Sequence, residues 1–224
     1  MTKIRIQLAA MFLAVVWPAV VHAQTPPANK WAGEIEEFQE ADRRNPPAKG
    51  GVLFIGSSSI RLWQSLQDDF PATKPINRGF GGSEIADCTF YIDRIVIPYQ
   101  PRIVVLYAGD NDLAGGSTPS QVFEDYKTFV SQVRRQLPET TIAFISIKPS
   151  PSRASLLQNM REANRLIKDY DAHGKRLVYI DVFTPMLDDH GNPREELFGP
   201  DKLHMNRQGY DLWKSVISPY IQEH

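Results

Sequence analysis

Two kinds of segment alternate along the chain. Five short runs are mostly apolar and rich in β-branched residues: 51–57 (GVLFIGS), 75–80 (PINRGF), 102–109 (RIVVLYAG), 141–147 (TIAFISI) and 177–182 (LVYIDV). Runs this short, bounded by turn residues, predict strands buried on both faces. Between them apolar residues recur at helical spacing. Trp31, Ile35 and Phe38 lie among acids ahead of an Asn45-Pro46-Pro47 stop, which predicts an amphipathic helix ending there. Thr118-Pro119-Ser120-Gln121 is a capping box with proline at the first helical position, and Val122, Tyr126, Phe129, Val130 and Val133 follow on one face. A further helix is expected over about 154–172, and a last one after Asn206 with Tyr210, Trp213, Val216 and Tyr220 as its apolar residues.

Strand and helix alternating through short links imply right-handed crossovers and a parallel, doubly wound sheet. The expected fold class is α/β: a three-layer α/β/α, flavodoxin-like arrangement with a parallel five-stranded sheet. The 224 residues suffice for one such domain, and 42% hydrophobic with 23% charged residues is the balance of an ordinary globule.

The amino-terminal residues form a different pattern. Lys3 and Arg5 precede an apolar run from Leu8 to Val21, followed by Val21-His22-Ala23. This is the layout of a secretory signal peptide over residues 1–23, with cleavage after Ala23. Pro18 interrupts the run, which also falls short of the ~20 apolar residues of a spanning helix. A flexible leader over residues 24–30 (QTPPANK) and a catalytic domain over 31–224 complete the expected organisation. The mature protein is then expected to be periplasmic or secreted, without a membrane anchor. Cleavage makes the formal net charge two charges more negative than −1 and leaves no basic run, so nucleic acid is not an expected partner. Cys88 is the lone cysteine; with Ile85, Phe90 and Tyr91 around it, it reads as a core residue.

Candidate chemistry lies just beyond the predicted strands, where ligands sit in parallel sheets. Gly56-Ser57-Ser58-Ser59 follows the first strand, Gly79-Phe80-Gly81-Gly82-Ser83 the second and Gly109-Asp110-Asn111-Asp112 the third. A fourth polar cluster, Asp201-Lys202-Leu203-His204, precedes the final helix. A serine hydroxyl is a poor nucleophile near neutral pH unless an imidazole takes its proton. Ser58 with His204 fits that need, and Asp201 can accept the other ring N–H.

In order and spacing, these four segments resemble the four sequence blocks of the SGNH (GDSL-like) hydrolase superfamily, and most closely the bacterial proteins similar to platelet-activating-factor acetylhydrolase subunits. The resemblance spans Gly51 to Tyr210. It implies Ser58 as nucleophile, His204 as base and Asp201 as its orienter. It also implies an oxyanion hole from the N–H groups of Ser58 and Gly82 and the side chain of Asn111. One departure stands out: the aspartate that usually precedes the nucleophile is Ser57 here. Three adjacent serines leave open which hydroxyl faces the pocket; alignment on Gly56 favours Ser58.

The expected activity is hydrolysis of a small-acyl (acetyl-type) carboxylic ester, on a small molecule or a glycan, through an acyl-serine intermediate. A lysophospholipase or thioesterase on the same fold is the second enzyme reading. A non-catalytic carbohydrate-binding protein on this scaffold is the reading from another class. Taken singly, each motif has a plainer explanation: a polar turn at residues 56–59, a surface turn at Asp201, and solvated loop acids or helix caps at Asp110 and Asp112. Trp63 and Tyr107 read first as core packing and second as walls of an acyl pocket. His173 and His190 sit in polar loops, and no zinc or calcium ligand spacing occurs, so neither metal nor cofactor is expected. Nothing in the sequence speaks to oligomeric state.

Overall fold

The structure, a computed structural model, describes residues 30–222. The signal segment 1–23, the leader up to residue 29 and the last two residues, Glu223 and His224, lie outside the described residues.

Five parallel strands form one sheet: β1 (Val52–Gly56), β2 (Ile76–Gly79), β3 (Ile103–Tyr107), β4 (Thr141–Ile145) and β5 (Leu177–Ile180). Their spatial order is β2-β1-β3-β4-β5, with every neighbouring pair parallel. This is the flavodoxin-like doubly wound order, in which the chain reverses direction across the sheet between β1 and β3. β1 and β3 are buried at every position, as central strands covered on both faces must be.

Alternation along each strand divides the core in two. Leu53, Ile55, Val104, Leu106, Ile142 and Phe144 face one layer, under α1 (Ala32–Arg44), α4 (Ile85–Phe90), α5 (Ile92–Ile95), α7 (Pro119–Gln136) and α8 (Leu157–Asp171). Val52, Phe54, Val105, Tyr107, Ala143 and Ile145 face the other, under α2 (Ser58–Arg61), α3 (Leu66–Asp69) and α9 (Arg207–Ile221). One short helix, α6 (Asp110–Ala114), follows β3. Cys88, Trp63 and Tyr107 are all buried in these layers.

Two of the predicted helix starts hold. The Thr118 hydroxyl accepts from the Gln121 N–H while the Gln121 side chain accepts from the Thr118 N–H, closing the capping box. The Asn206 side chain accepts from the Gly209 N–H. Two details differ from expectation. The helix expected from about residue 154 begins at Leu157, because a 3-10 segment from Pro151 to Leu156 precedes it, with Arg153 off helical geometry at φ −119°, ψ 25°. On α9 the core-facing residues are Tyr210, Trp213, Ile217 and Ile221, and Tyr220 is 45% exposed.

Asp171 offers a stability test away from the strand ends that carry the polar clusters. It is buried at the end of α8, where one carboxylate oxygen accepts from the Tyr126 hydroxyl at 2.8 Å and the other has no hydrogen-bond partner. Burial pushes its carboxyl from 3.8 up to about 7, against the opposing effect of the Tyr126 bond. Because the folded value exceeds the unfolded one, its contribution to stability is whole below about 3.8 and is lost as pH rises through about 7. A tenfold difference in acidity constant between folded and unfolded chain is worth about 1.4 kcal/mol, so the loss is large enough to move a melting curve. Asp171→Asn keeps an acceptor for Tyr126 and carries no charge. Thermal melts are expected to show it more stable than the parent at about pH 8 and nearly equal at about pH 4; the same difference at both would contradict this account.

Candidate active site

All the polar clusters singled out in the sequence lie beyond the carboxyl ends of the strands or on the loop that leads into α9. β1 ends in Gly56, whose φ of +145° turns the chain sharply. A Cβ there would lie 1.8 Å from the Tyr107 carbonyl oxygen, so only glycine lets β1 and β3 approach this closely at the turn. The Ser57 N–H donates to that same carbonyl at 3.0 Å, and α2 begins at once with Ser58. Of the three serines, Ser57 and Ser59 are buried, and Ser58 is partly exposed. As the first residue of a helix, Ser58 has an N–H without an intrahelical partner.

The Ser58 hydroxyl lies 3.0 Å from His204 Nε2. On the other side of the ring, His204 Nδ1 is 2.6 Å from an oxygen of Asp201. The second Asp201 oxygen accepts from the backbone N–H groups of Leu203 and His204, each at 3.0 Å. Hydrogen bonds from the His204 ring and from those two amides draw the Asp201 carboxyl down to about 2, so it is ionised at any ordinary assay pH. The loop is anchored by an isolated bridge between Phe198 and Met205 and by Asn206, whose amide donates to the carbonyls of Glu196 and Phe198. α9 is tied back to the serine turn through the Tyr210 hydroxyl, which donates to the Ser59 carbonyl at 3.0 Å.

The glycine loop after β2 packs on α2. A Cβ on Gly79 would lie 2.2 Å from the Arg61 nitrogen, and the Phe80 N–H donates to the Gly56 carbonyl. Gly81 is held from α1 and its cap: its carbonyl accepts from the Trp31 indole at 2.8 Å and its N–H donates to Glu34 at 3.3 Å. Gly82 follows at φ +74°, a left-handed conformation that glycine adopts without strain, and it is exposed. Asn111, on α6, donates from Nδ2 to the Ser83 carbonyl at 3.0 Å, which joins the loops after β2 and β3.

Asp110 and Asp112 are not solvated acids, and neither is the N-cap of its own helix, which is Gly109. Both are buried. Asp110 pairs with Lys148 at 3.1 Å and with Arg153 at 2.8 Å, and the Lys148 ammonium also donates to the Tyr107 hydroxyl at 3.3 Å. Burial alone would raise the Asp110 carboxyl; the two cations outweigh it and leave the value lowered. Asp112 accepts from the Ile85 N–H at 3.1 Å and has no cation in contact, so burial pushes it up to about 7. Lys148 and Arg153 are the residues that sequence reasoning missed. They lie in Lys148-Pro149-Ser150-Pro151-Ser152-Arg153, a polar cluster just beyond β4, so the strand-end rule that finds the other clusters extends to this one.

Four cavities of about 310 to 910 Å³ are lined by residues at the opposite, amino-terminal ends of the strands, among them Gly51, Arg102, Thr140 and Leu177. None of the four is lined by Ser58, Gly82, Asn111 or His204. Among the described residues no group of three or more His, Cys, Asp or Glu side chains is arranged to hold a metal ion, and no helix is long and apolar enough to cross a membrane.

A five-stranded parallel sheet with a serine and an imidazole in contact at its switch point is the framework of an α/β hydrolytic enzyme. The chain belongs to the GDSL-like lipase/acylhydrolase family, whose model matches residues 55–212, and is a carboxylic ester hydrolase. Solved structures share its fold. An acylhydrolase candidate from Bacteroides fragilis is 21% identical with a TM-score of 0.72, over 88% of this chain and 98% of that one. A platelet activating factor candidate from Streptococcus pneumoniae is 20% identical with a TM-score of 0.74, over 84% and 92%. A GDSL-like lipase from Bacteroides thetaiotaomicron is 20% identical with a TM-score of 0.69, over 84% and 96%. Comparison with curated protein sequences yields no match.

Proposed function

We propose that this ester hydrolase acts on small-acyl esters, of the acetyl type, through an acyl-serine intermediate on Ser58. The contact that carries the reading is the 3.0 Å approach of the Ser58 hydroxyl to His204 Nε2. With Nδ1–H held by the Asp201 carboxylate, Nε2 is left as the basic nitrogen facing the hydroxyl. In the first step Ser58 Oγ attacks the acyl carbon and its proton passes to Nε2. The ester C–O bond then breaks, and the same proton goes to the departing alkoxide. Water repeats the sequence on the acyl-serine: it loses a proton to Nε2 and attacks the acyl carbon. The bond to Ser58 Oγ then breaks as Nε2 returns the proton to Oγ, and the carboxylic acid leaves. The negative oxygen of each tetrahedral intermediate is taken to lie among the N–H groups of Ser58 and Gly82 and the Asn111 amide.

The small-acyl part rests on shape. Ser58 is partly exposed and Gly82 is exposed. The four cavities open at the other ends of the strands, so none of them would take the acyl chain of an ester attacked by Ser58. A nucleophile open to solvent suits a short acyl group on a bulky carrier such as a glycan, and export through the segment 1–23 would bring the enzyme to such carriers. A p-nitrophenyl ester series of rising acyl length tests this. Activity is expected to peak at acetate and fall steadily beyond butyrate; a maximum at octanoate or longer would replace the small-acyl reading with the lysophospholipase or thioesterase one.

A further inference from the structure

Arg153 has no part in the mechanism just given, yet it touches one of its donors. The Arg153 side chain is 16% exposed. One guanidinium nitrogen donates to Asn111 Oδ1 at 2.9 Å, while another lies 2.8 Å from Asp110. The backbone holding it is fixed on both sides: the Arg153 N–H donates to Ser150, and the Ser152 N–H donates to the Lys202 carbonyl, each at 3.0 Å. Lys202 lies between Asp201 and His204, so this contact ties the Arg153 segment to the loop of the base.

A carboxamide has one accepting and one donating end of nearly equal size. Rotation by half a turn exchanges them, and only the neighbours decide which end faces where. At an oxyanion the choice is decisive, since the amide nitrogen stabilises the developing charge and the amide oxygen repels it. Arginine offers donors only and a backbone carbonyl accepts only. With Arg153 on Oδ1 and the Ser83 carbonyl on Nδ2, the Asn111 amide is held in one orientation from both ends. The second Nδ2 hydrogen is left uncommitted among the described residues.

The surrounding charges suit this task. Asp110 is buried and carries Lys148 as well as Arg153, so one carboxylate is balanced by one cation and the guanidinium charge survives beside the amide. Lys148, 1% exposed, donates to the same Asp110 oxygen that faces Arg153, without claiming Asn111.

We propose that Arg153 is a positioning residue for ester hydrolysis, holding the Asn111 amide with its nitrogen available to the acyl oxygen. The inference rests on the reading of Asn111 as an oxyanion donor, and the test separates the two. Steady-state kinetics on p-nitrophenyl acetate would be measured for the parent, Asn111→Ala, Arg153→Met, Arg153→Lys and the double variant Asn111→Ala/Arg153→Met. Asn111→Ala is expected to lower kcat by about 100- to 1000-fold. Arg153→Met is expected to lower kcat by about 10- to 100-fold with KM little changed, because only part of the Asn111 donation is lost. Arg153→Lys retains a cation for Asp110, which protects the fold, but a single ammonium cannot span Asp110 and Asn111 as the fork does, so most of the kcat loss is expected to remain. In the Asn111→Ala background, Arg153→Met is expected to cost nothing further. Parental kcat in both Arg153 variants beside a crippled Asn111→Ala would overturn the role of Arg153 and leave the oxyanion reading standing. Losses that multiply in the double variant would also overturn it, since Arg153 would then act elsewhere. Parental kcat in Asn111→Ala would remove the oxyanion reading and this inference together.

Discussion

Ser58→Ala is expected to lower kcat by about a million-fold on any ester the protein accepts, while its thermal melt stays close to that of the parent. The loss is large because the substitution removes the atom to which the acyl group is transferred, so neither His204 nor the N–H groups have a covalent route left to assist. The fold should hardly notice. Ser58 is partly exposed, and its side chain has one hydrogen bond, to His204. Ser57→Ala and Ser59→Ala serve as controls: both hydroxyls are buried without a hydrogen-bond partner, so their removal is expected to leave most of the activity. A Ser58→Ala variant with parental kcat would show that the neighbouring serines or water do the work.

Asp201→Asn is expected to lower kcat by about 10,000-fold, again with the fold intact. Asp201 accepts three N–H groups, two from the backbone and one from the His204 ring. An asparagine can keep its one carbonyl oxygen on the two backbone donors. Its amide NH₂ then faces Nδ1 and donates, which favours the ring tautomer with hydrogen on Nε2. That tautomer points a proton at Ser58 instead of a lone pair, and the hydroxyl cannot be activated. Kinetics together with a melting curve check the claim. A small loss of kcat would mean that Asp201 serves only to shape the loop.

Much of the fold is legible in the sequence for a physical reason. Strands covered on both faces must be apolar at nearly every position, so β1 and β3 declare themselves as runs such as VLFI and IVVLY. The long helices declare themselves through period and caps, as at Thr118 and Asn206. The short helices α2 to α6 do not, because stretches of four to six residues are too short to carry a helical period and are held by tertiary contacts. Tyr220 reads in sequence as part of the apolar face of α9 yet is exposed, because aromatic character does not say which side of a helix is covered.

At the site, the polar clusters beyond the strands are readable, since a parallel sheet brings its strand ends to one edge. Which serine turns outward depends on where α2 begins, which no residue pattern gives; only the resemblance, aligned on Gly56, favours Ser58. The burial of Asp110 is not readable either. A carboxylate in a loop reads as solvated until the two cations that neutralise it are seen, and Lys148 and Arg153 are remote from it in sequence, beyond the next strand.

Labelling with a fluorophosphonate tests the central claim most directly, because the probe reports a hydroxyl activated by a neighbouring base and needs no knowledge of the natural ester. The parent protein is expected to gain one adduct, mapped by peptide mass to Ser58, and Ser58→Ala is expected to gain none. A parent that stays unlabelled, or an adduct on Ser57 or Ser59, would contradict the account.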